Sequence, residues 1–387
     1  MYPTCIIGGG LAGLTIAEAL AKRGESVVVL EKYKSWGGRV VTYRTDSLQY
    51  EIGAGRIFRA HRRVHNLIRR FGLHTYPIRS DFSEFTDAFE PIRTLILESV
   101  PEATLRRHTI AAIIPPEFHP LLRKYPYWAE LHLLRADIAL RLFAADREMG
   151  ASDFCGVVEG LDALTTGLAT AAAAAGADLR NRHNVTDIKR REDDGMFEIQ
   201  GLSGKKAEAK PFTIMASRVI LTVLHPFSVI RDAPMFKQLR SSPLTRIYAV
   251  YPTPAWFADM PKMVVDGPLR FIIPIDASKG LIMISYTDGD DTLVWNGKDG
   301  DELMYEIQAA AKATFPYMDI PDPTFLKKHE WPQGCTYWLP GDYDVDAAIA
   351  AAQNPAPNVY VAGEIISRNQ AWMESALESA ENLLVQI

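Results

Sequence analysis

The stretch that decides the fold is CIIGGGLAGLTIAEALAKRGESVVVLE, residues 5–31. Its apolar start, Cys5 to Ile7, predicts a short buried parallel strand, and the glycines after it have the G-x-G-x-x-G spacing. Gly8 permits a tight turn, Gly10 lets the backbone approach a pyrophosphate, and Gly13 allows the following helix to pack closely on the strand. The N-terminus of that helix offers N–H groups and the positive end of its dipole to phosphates. The pattern therefore predicts a bound dinucleotide.

A second strand and an acidic residue follow the helix. Gly24 ends the helix, Ser26 to Leu30 has the pattern of a buried strand, and Glu31 stands at the end of that strand. A carboxylate in this position accepts hydrogen bonds from the ribose hydroxyls of an adenosine and favours a cofactor without a 2′-phosphate. A lone G-x-G-x-x-G can also be a structural glycine turn, but the complete order of strand, helix, strand and acid favours the dinucleotide.

The turn Gly37-Gly38-Arg39 bears on which dinucleotide is bound. It lies six to eight residues past Glu31 and ends in a guanidinium that can reach the same pyrophosphate. This signature resembles the flavin-dependent amine oxidase superfamily, which includes monoamine oxidases and L-amino-acid oxidases. The resemblance implies FAD rather than NAD.

The resemblance extends over nearly the whole chain. It implies that the backbone of Val185 meets the adenine, that Gly363 and Glu364 lie near the flavin ribityl chain, and that the Met373 backbone donates to the flavin pyrimidine. The family often has glycine at two positions where this chain has Ala371 and Ser375. Close packing of the last helix on the flavin is therefore left open.

The resemblance also implies a substrate site with aromatic walls, because amine oxidation needs a neutral amine that is held near the flavin and shielded from water. Trp372 is the candidate for one wall, and a core tryptophan is the alternative. Monoamine oxidases have the second aromatic residue directly after a cysteine, whereas Thr336 follows Cys335 here. Tyr337 or Trp338 is therefore the candidate for the opposing wall.

Cys335 and Arg56 each have two interpretations. Cys335 corresponds to the cysteine that monoamine oxidases join covalently to the flavin, and the alternative is a small buried apolar side chain. The segment GAGRIF, which contains Gly55 and Arg56, matches a family segment that approaches the cofactor. In L-amino-acid oxidases the arginine of that segment binds the substrate carboxylate. The alternative is an arginine that holds cofactor phosphate or another loop.

Arg246 is the main departure from the family. Amine oxidases have a lysine on a sheet strand, about ten residues before a tryptophan, that holds a water against flavin N5. The segment LTRIYAVYPTPAW, counted back from Trp256, places Arg246 there unless the alignment is out of register. Arginine is larger, planar and permanently charged. We expect Arg246 to lie within reach of the flavin ring, in the water's place or as a substrate ligand, and the protein to be a slow oxidase of ordinary amines.

The composition sets the class of protein. With 387 residues, 48% of them hydrophobic, and a net charge of −5, the chain has no global charge that favours nucleic acid or an anionic membrane. Three distant cysteines argue for a reducing cytosol. A strand at residue 5 leaves no room for a signal peptide, and no run has the length of a membrane helix. We expect a soluble, cytoplasmic protein with a small-molecule substrate and O2 as partners and no metal; the oligomeric state is left open.

Three local patterns favour ordinary structural roles. The arginine-rich segment RIFRAHRRVHNLIRRFGL is typical of a solvated helix face. His61 and His65 have the spacing of metal ligands on a helix, but no third ligand converges on them, so solvated histidines are favoured. TDGDD, residues 287–291, is too short for a calcium loop and predicts a turn.

The order of these patterns predicts an α/β fold, in which an FAD-binding Rossmann-like domain of the glutathione-reductase type is interleaved with an α+β substrate domain. The substrate domain should carry a mostly antiparallel sheet, and RVILTVL, residues 218–224, should be a buried strand of the other domain. The expected boundaries are 1–75, 155–230 and 355–387 for the FAD-binding domain, and 76–154 and 231–354 for the substrate domain.

The implied reaction is FAD-dependent oxidation of a monoamine, polyamine or amino acid to the imine, with hydride transfer to flavin N5 and reoxidation by O2 to give H2O2. Two other classes stay open. A desaturase or protoporphyrinogen-oxidase-like dehydrogenase would have a large apolar tunnel without the aromatic pair. A flavin-binding protein that has lost catalysis would not be reduced by any amine.

Overall fold

The computed structural model describes residues 1–78, 83–148 and 153–387. The chain forms two compact units, each built from discontinuous segments. The first unit comprises Met1–Ser80, Ala151–Leu239 and Tyr343–Ile387, and the second comprises Asp81–Gly150 and Arg240–Asp342.

The first half of the chain begins and ends in the first unit, with a helical part of the second unit between. Residues 1–78 contain β1 (Tyr2–Ile7), α1 (Leu11–Lys22), β2 (Val27–Leu30), β3 (Thr42–Arg44), β4 (Gln49–Glu51), β5 (Ile57–Phe58), α2 (Arg62–Arg70) and β6 (Thr75–Ile78). Residues 83–148 contain α3 (Ser83–Ser99), α4 (Glu102–Arg107), α5 (Ile110–Ile113), α6 (His119–Leu122), α7 (Trp128–His132) and α8 (Ala136–Glu148). Residues 153–238 contain β7 (Phe154–Val157), α9 (Asp162–Ala174), β8 (Asp178–Arg180), β9 (His183–Arg190), β10 (Phe197–Ser203), β11 (Lys210–Leu221) and α10 (Met235–Gln238).

The remainder of the chain supplies the sheet of the second unit and the end of the first. Its elements are β12 (Leu239–Val250), β13 (Met263–Val264), β14 (Phe271–Asp276), β15 (Leu281–Asp288), α11 (Gly300–Thr314), β16 (Phe325–Trp338), α12 (Val345–Gln353), β17 (Val359–Val361) and α13 (Met373–Leu384).

A seven-stranded sheet organises the first unit. Its strand order is β8-β2-β1-β11-β10-β9, and β17 pairs with the end of β11. The strands β8, β2, β1, β11 and β17 are parallel to their neighbours, while β9, β10 and the start of β11 form an antiparallel meander. Helix α1 buries its apolar stripe, including Ile16 and Leu20, against β1 and β2 and against residues of α9 and α13. The carboxyl ends of β1 and β2 are therefore held beside the N-terminus of α1.

The second unit carries a five-stranded sheet in the order β13-β14-β15-β12-β16. The pairs β12–β15, β13–β14 and β14–β15 are antiparallel. Because side chains alternate along a strand, β12 directs Ile247 and Ala249 into a core shared with α11 and with Tyr251 just past the strand, which leaves Arg246 and Tyr248 for the opposite face. The predicted mixed α/β fold with a mostly antiparallel second sheet is confirmed.

Two expected boundaries were wrong. The strand predicted over 218–224 runs over Lys210–Leu221, because its first half pairs with β10. Just past its end, the Thr222 hydroxyl donates to the carbonyls of Ile7 and Gly8. The turn predicted over 287–291 is the end of β15 followed by a 3-10 helix at Gly289–Trp295. There Asp288 is buried at 4% exposure, because its carboxylate accepts backbone hydrogen bonds from α7.

Candidate active site

The glycine turn between β1 and α1 is fixed by close backbone contacts. Gly8 has a φ of +108°, which L side chains rarely adopt. A Cβ added to Gly13 would lie 2.0 Å from the Gly8 carbonyl oxygen, so α1 packs on the turn only because position 13 has no side chain. The first bond within the helix runs from the Leu14 N–H to the Gly10 oxygen (3.0 Å). The N–H groups before Leu14 therefore face out of the helix N-terminus.

Gly10 differs from Gly8 and Gly13, because the protein itself does not require a glycine at this position. Its φ is −84°, and a Cβ added to it would meet nothing closer than the Gly37 carbonyl oxygen at 3.7 Å. A Cβ on Gly38 would likewise be 3.7 Å from the nearest atom, the Gly10 Cα. A pyrophosphate at a helix N-terminus needs such a face clear of side chains. The residues present therefore fit a dinucleotide.

Glu31 lies beside this turn and is 4% exposed. One carboxylate oxygen accepts the Gly9 N–H (2.8 Å) and the other accepts the Tyr33 N–H (2.9 Å). Each oxygen keeps a second lone pair for a ligand hydroxyl. The Glu31 carbonyl accepts the His183 N–H at the start of β9 (2.8 Å), and Val185 is two residues further along that strand. The structure thus brings Glu31 and the strand of Val185 together.

Arg39 connects three of the predicted segments. Its guanidinium donates to the Glu364 carboxylate, which is buried, and the other Glu364 oxygen accepts the Ala371 N–H (3.1 Å). The Arg39 carbonyl accepts the Ala54 N–H (2.9 Å), so the loop that carries Arg56 is fixed to the same residue. The Gly38-Arg39, Gly55-Arg56 and Gly363-Glu364 turns therefore belong to one hydrogen-bonded group.

The start of α13 accommodates both departures from glycine. Ala371 has a φ of +70°, the left-handed conformation that glycine adopts at lower cost. The Ser375 hydroxyl donates to the Asn369 carbonyl and so ties the preceding loop to the helix. Met373, the first helical residue, packs in a core cluster with Leu11, the first residue of α1. The N-termini of α1 and α13 are thus anchored in the same cluster.

Arg56 and Trp372 lie together in a group of rings, which we name the Arg56 cluster (Arg56, His61, Phe154 and Trp372). The Arg56 guanidinium carbon is 4.9 Å from the Phe154 ring centre and 5.6 Å from the Trp372 ring centre. The two ring centres are 6.5 Å apart with their planes 17° from parallel. Ring contacts use the face of a guanidinium, whereas its N–H donors act in its plane. The arrangement can therefore orient those donors toward a carboxylate.

His61 is not the solvated histidine that was expected. Its ring packs edge-on against Trp372, with 4.8 Å between ring centres, and its Nδ1 accepts the Phe58 N–H (3.2 Å). Burial lowers the pKa of His61 to about 4, against the opposing influence of the Glu374 carboxylate. His61 is therefore uncharged near neutral pH, and the positive charge of the cluster belongs to Arg56.

In the second unit, Arg246 lies on β12 and is 9% exposed. It pairs in register with Tyr286 of β15, and its guanidinium carbon is 4.7 Å from the Tyr286 ring centre. Burial by itself lowers the pKa of Arg246, but the phenol oxygens of Tyr286 and Tyr248 raise it above the ordinary value. The charge of Arg246 is therefore permanent. The Tyr127 ring lies 5.8 Å from the Tyr286 ring.

The two remaining candidates lie on β16. Tyr337 is 5% exposed, and burial raises the pKa of its phenol well above the ordinary value. Cys335 is half-buried and is not part of a disulfide. The Thr336 and Ser241 hydroxyls are 3.3 Å apart and link β16 to β12, the strand of Arg246. One sheet thus carries Arg246, Cys335 and Tyr337 on neighbouring strands.

Sequence reasoning missed Phe154, Tyr127, Tyr286 and Asp288. Phe154 is nearly a hundred positions from Arg56, and no motif marks it; only its place at the start of an apolar strand was visible. Tyr286 could have been found from the sequence. The alternation in LIMISYTD assigns its side chain to one face of the strand, where it lies opposite a residue of the neighbouring strand. Contacts between distant segments, rather than local patterns, define these four residues.

Among residues 1–78, 83–148 and 153–387, no group of three or more histidine, cysteine, aspartate or glutamate residues is arranged to hold a metal ion. In the same ranges, no helix has both the length and the apolar character needed to cross a bilayer.

Comparison with known proteins identifies relatives over parts of the chain. An L-amino acid oxidase of Cerastes cerastes is 44% identical over 70 residues, which is 18% of this chain and 14% of that protein. The flavin-containing amine oxidase A of Bos taurus is 34% identical over 79 residues, 20% of this chain and 15% of that protein. The matched stretch thus spans about one-seventh of the length of these curated relatives.

Structural similarity and a family model cover far more of the chain. The cyclohexylamine oxidase of Brevibacterium oxydans superposes with a TM-score of 0.74 over 100% of this chain and 99% of its own, at 17% identity, which shows a shared fold. The model described as "FAD dependent oxidoreductase" matches residues 4–368. That match includes the glycine turn, Glu31, Arg39 and the Gly363-Glu364 turn, and the chain belongs to the family of FAD-dependent oxidoreductases.

Proposed function

We propose that this protein oxidises an α-amino acid to the imine, with O2 as the electron acceptor and H2O2 as the second product. The observation that carries the proposal is the Arg56 cluster, in which a guanidinium rests on two aromatic rings, one of them Trp372. The similarity to amino-acid and amine oxidases supports the same class of chemistry. FAD, when bound, supplies the acceptor for a hydride from the carbon that bears the nitrogen and the route for electrons to O2.

The first unit supplies the groups that would hold FAD. We assign the pyrophosphate to the N-terminus of α1 at Gly10, with Gly8 and Gly13 shaping the turn, and the adenosine ribose to Glu31. The Arg39–Glu364 pair and the first turn of α13 at Met373 complete the set. Val185, Gly38, Gly55 and Gly363 would line the cofactor through their backbones.

The same unit supplies the groups that would hold the substrate. Arg56 pairs with the α-carboxylate in a bidentate contact, and Trp372 excludes water from the amine. Because His61 is uncharged, it adds no repulsion against the cationic amine before a proton is lost. We also propose Arg246 and Tyr337, which belong to the second unit, as substrate-side residues, with Arg246 as the counterpart of the lysine that the resemblance assigns to amine oxidases.

Substitution of Arg56 tests the carboxylate assignment. Arg56→Ala should raise KM for an amino acid by about tenfold to a hundredfold and leave KM for the decarboxylated amine nearly unchanged, since a charge-assisted contact contributes ~1.5–3 kcal/mol. Arg59→Ala is the matched control, because Arg59 lies at the other end of the same short strand, β5, but is 75% exposed and contacts only the nearby Asp153 at 3.4 Å among the ion pairs described. Equal losses on both substrates, or loss of FAD, would assign Arg56 to the scaffold or the cofactor.

A further inference from the structure

Two buried charged side chains hold the Tyr125–Ala129 segment, which leads into α7. At one end, the Asp288 carboxylate accepts the N–H groups of Trp128 (2.7 Å) and Ala129 (2.9 Å). At the other end, the Arg270 guanidinium donates to the Tyr125 carbonyl (3.0 Å). Asp288 and Arg270 are 4% and 3% exposed, and they belong to the paired strands β15 and β14 or their immediate flank. The sheet therefore fixes this segment at both ends.

Tyr127 is the residue between these two attachments. Its ring is 5.8 Å from the Tyr286 ring and 6.3 Å from the Phe271 ring. The Tyr286 ring in turn lies 4.7 Å from the guanidinium carbon of Arg246. A shift in the backbone of the segment would therefore reach Arg246 through two packed rings.

A further contact shows how closely the segment is seated. A Cβ added to Gly289, the residue after Asp288, would lie 2.1 Å from the Trp128 ring. The Trp128 ring also stacks on His132 of α7, with 4.7 Å between ring centres and planes 18° apart. The start of α7 thus fits against the end of β15 with no room for adjustment by even one methyl group.

We propose that Asp288 is a positioning residue for catalysis: by holding the N–H groups of Trp128 and Ala129, it keeps Tyr127 against Tyr286 and so fixes the Arg246 guanidinium. This inference rests on the proposed function, in which Arg246 lies on the substrate side.

The chemistry of the carboxylate makes this role sensitive to pH. An ionised carboxylate accepts both N–H groups, one on each oxygen, whereas a protonated carboxyl presents a hydroxyl hydrogen toward one of them. Burial raises the pKa of Asp288 to about 7, against the two N–H groups, which lower it. Asp288 therefore loses one of its two attachments as the pH falls through about 7.

The charged and titratable neighbours of Asp288 do not mask this transition. Asp291 raises the pKa of Asp288 and Arg270 lowers it, and both effects are already included in the value of about 7. Burial lowers the pKa of His132 on α7 and raises those of Tyr286 and Tyr337, so all three stay uncharged above neutral pH. The groups that interact electrostatically with Asp288 are Asp291, Arg270, Tyr286 and Tyr337. Glu130 and His132 are the titratable residues of α7, the helix whose first N–H groups Asp288 accepts.

The test compares FAD-loaded wild type with Asp288→Asn by anaerobic stopped-flow reduction of the flavin, at saturating amino acid, over roughly two pH units on each side of 7. In the wild type, the limiting reduction rate should rise about tenfold to a hundredfold through a transition near 7. Asp288→Asn should stay at the low rate without that transition. Asp276→Asn is the control, because Asp276 also accepts a backbone N–H, from Ser278 (3.1 Å), but lies at the end of β14, paired with the first residue of β15 and far along that strand from Asp288.

Two further measurements keep the outcomes distinct. Tyr127→Ala should reproduce the low rate, while Tyr127→Phe, which keeps the ring, should behave as wild type. The near-ultraviolet circular dichroism of the tyrosines in resting enzyme should change through the same transition in wild type and not in Asp288→Asn. A transition that persists in Asp288→Asn, or a wild-type rate in Tyr127→Ala, would overturn the inference. A dichroism transition without reduction by any amino acid or amine would support the positioning role and refute the proposed function.

Discussion

At the scale of single residues, the two glycines Gly10 and Gly13 are required for different reasons. Gly13 is required by the protein, since a Cβ there would overlap the Gly8 carbonyl at 2.0 Å. Gly10 is surrounded by space on the protein side, with 3.7 Å to the nearest atom. Only a ligand gives a reason for glycine at position 10, and this difference separates cofactor binding from folding.

Alanine substitutions at these two positions should therefore affect different properties, FAD affinity at Gly10 and stability at Gly13. Gly10→Ala should leave the far-ultraviolet circular dichroism and thermal midpoint of the cofactor-free protein unchanged but lower its affinity for FAD, because the added methyl group occupies the approach of the pyrophosphate. Gly13→Ala should lower the free energy of unfolding by ~1–3 kcal/mol or more through overpacking. Full FAD content in Gly10→Ala, measured by visible absorbance, would contradict the assignment of the pyrophosphate to this face.

Residue-scale reasoning from sequence succeeded where the backbone imposes the residue type. The glycines of the turn were predictable, because a tight turn restricts the side chains that fit, and the assignment of Glu31 to the ribose stays a prediction. The role of His61 was not, because its isolated spacing to His65 gave no sign of the Trp372 ring that covers it. Asp288 was assigned to a turn, since TDGDD has turn composition and its backbone partners are about 160 positions away along the chain.

At the scale of elements, α2 contacts α13. Helix α2 lies in the arginine-rich segment that was expected to be a solvated face. Glu374 of α13 accepts the backbone N–H groups of Arg63 (3.0 Å) and Val64 (3.1 Å) and so caps the N-terminus of α2. The Arg63 side chain also pairs with Glu374 and Glu381. The helix that carries Met373 is therefore held to the helix that begins after His61.

Loss of this cap should be measurable as stability. Glu374→Ala should lower the free energy of unfolding by ~1–2 kcal/mol, because two helix N–H groups lose their acceptor and the helix dipole loses a nearby negative charge. Glu378→Ala is the control on the same helix. Glu378 is 41% exposed, and its contact with Arg63 is long, at 3.7 Å. Urea denaturation of the two variants should separate them, and equal losses would show that the backbone contacts of Glu374 contribute nothing of their own.

Element-scale prediction was accurate for periodic segments. The mostly antiparallel sheet expected for the substrate domain is the five-stranded sheet of the second unit. The strand β11 was placed too late, because its first half pairs with β10 and carries the mixed, exposed pattern of an edge meander. Local apolar runs identify buried strands well, whereas half-exposed extensions depend on a partner that the run does not reveal.

At the scale of the whole chain, each of the two units is discontinuous in sequence and has its own sheet. The Gly turn and helix near the end of the chain predicted that residues 355–387 belong with the FAD-binding domain. Which side chains converge within a unit was not predictable: Arg56, Phe154 and Trp372 come from three segments and meet only through the fold. The resemblance named Arg56 and Trp372 as candidate site residues, whereas no sequence pattern marked Phe154.

The most direct test of the central claim is an anaerobic titration of the purified protein with α-amino acids, followed by admission of O2. The account predicts the visible absorbance of oxidised FAD in the isolated protein, bleaching of that absorbance by an amino acid, and its recovery with O2 together with one H2O2 for each substrate oxidised. Protein isolated with NAD and no flavin absorbance, or a bound flavin that neither amino acids nor amines reduce, would contradict it.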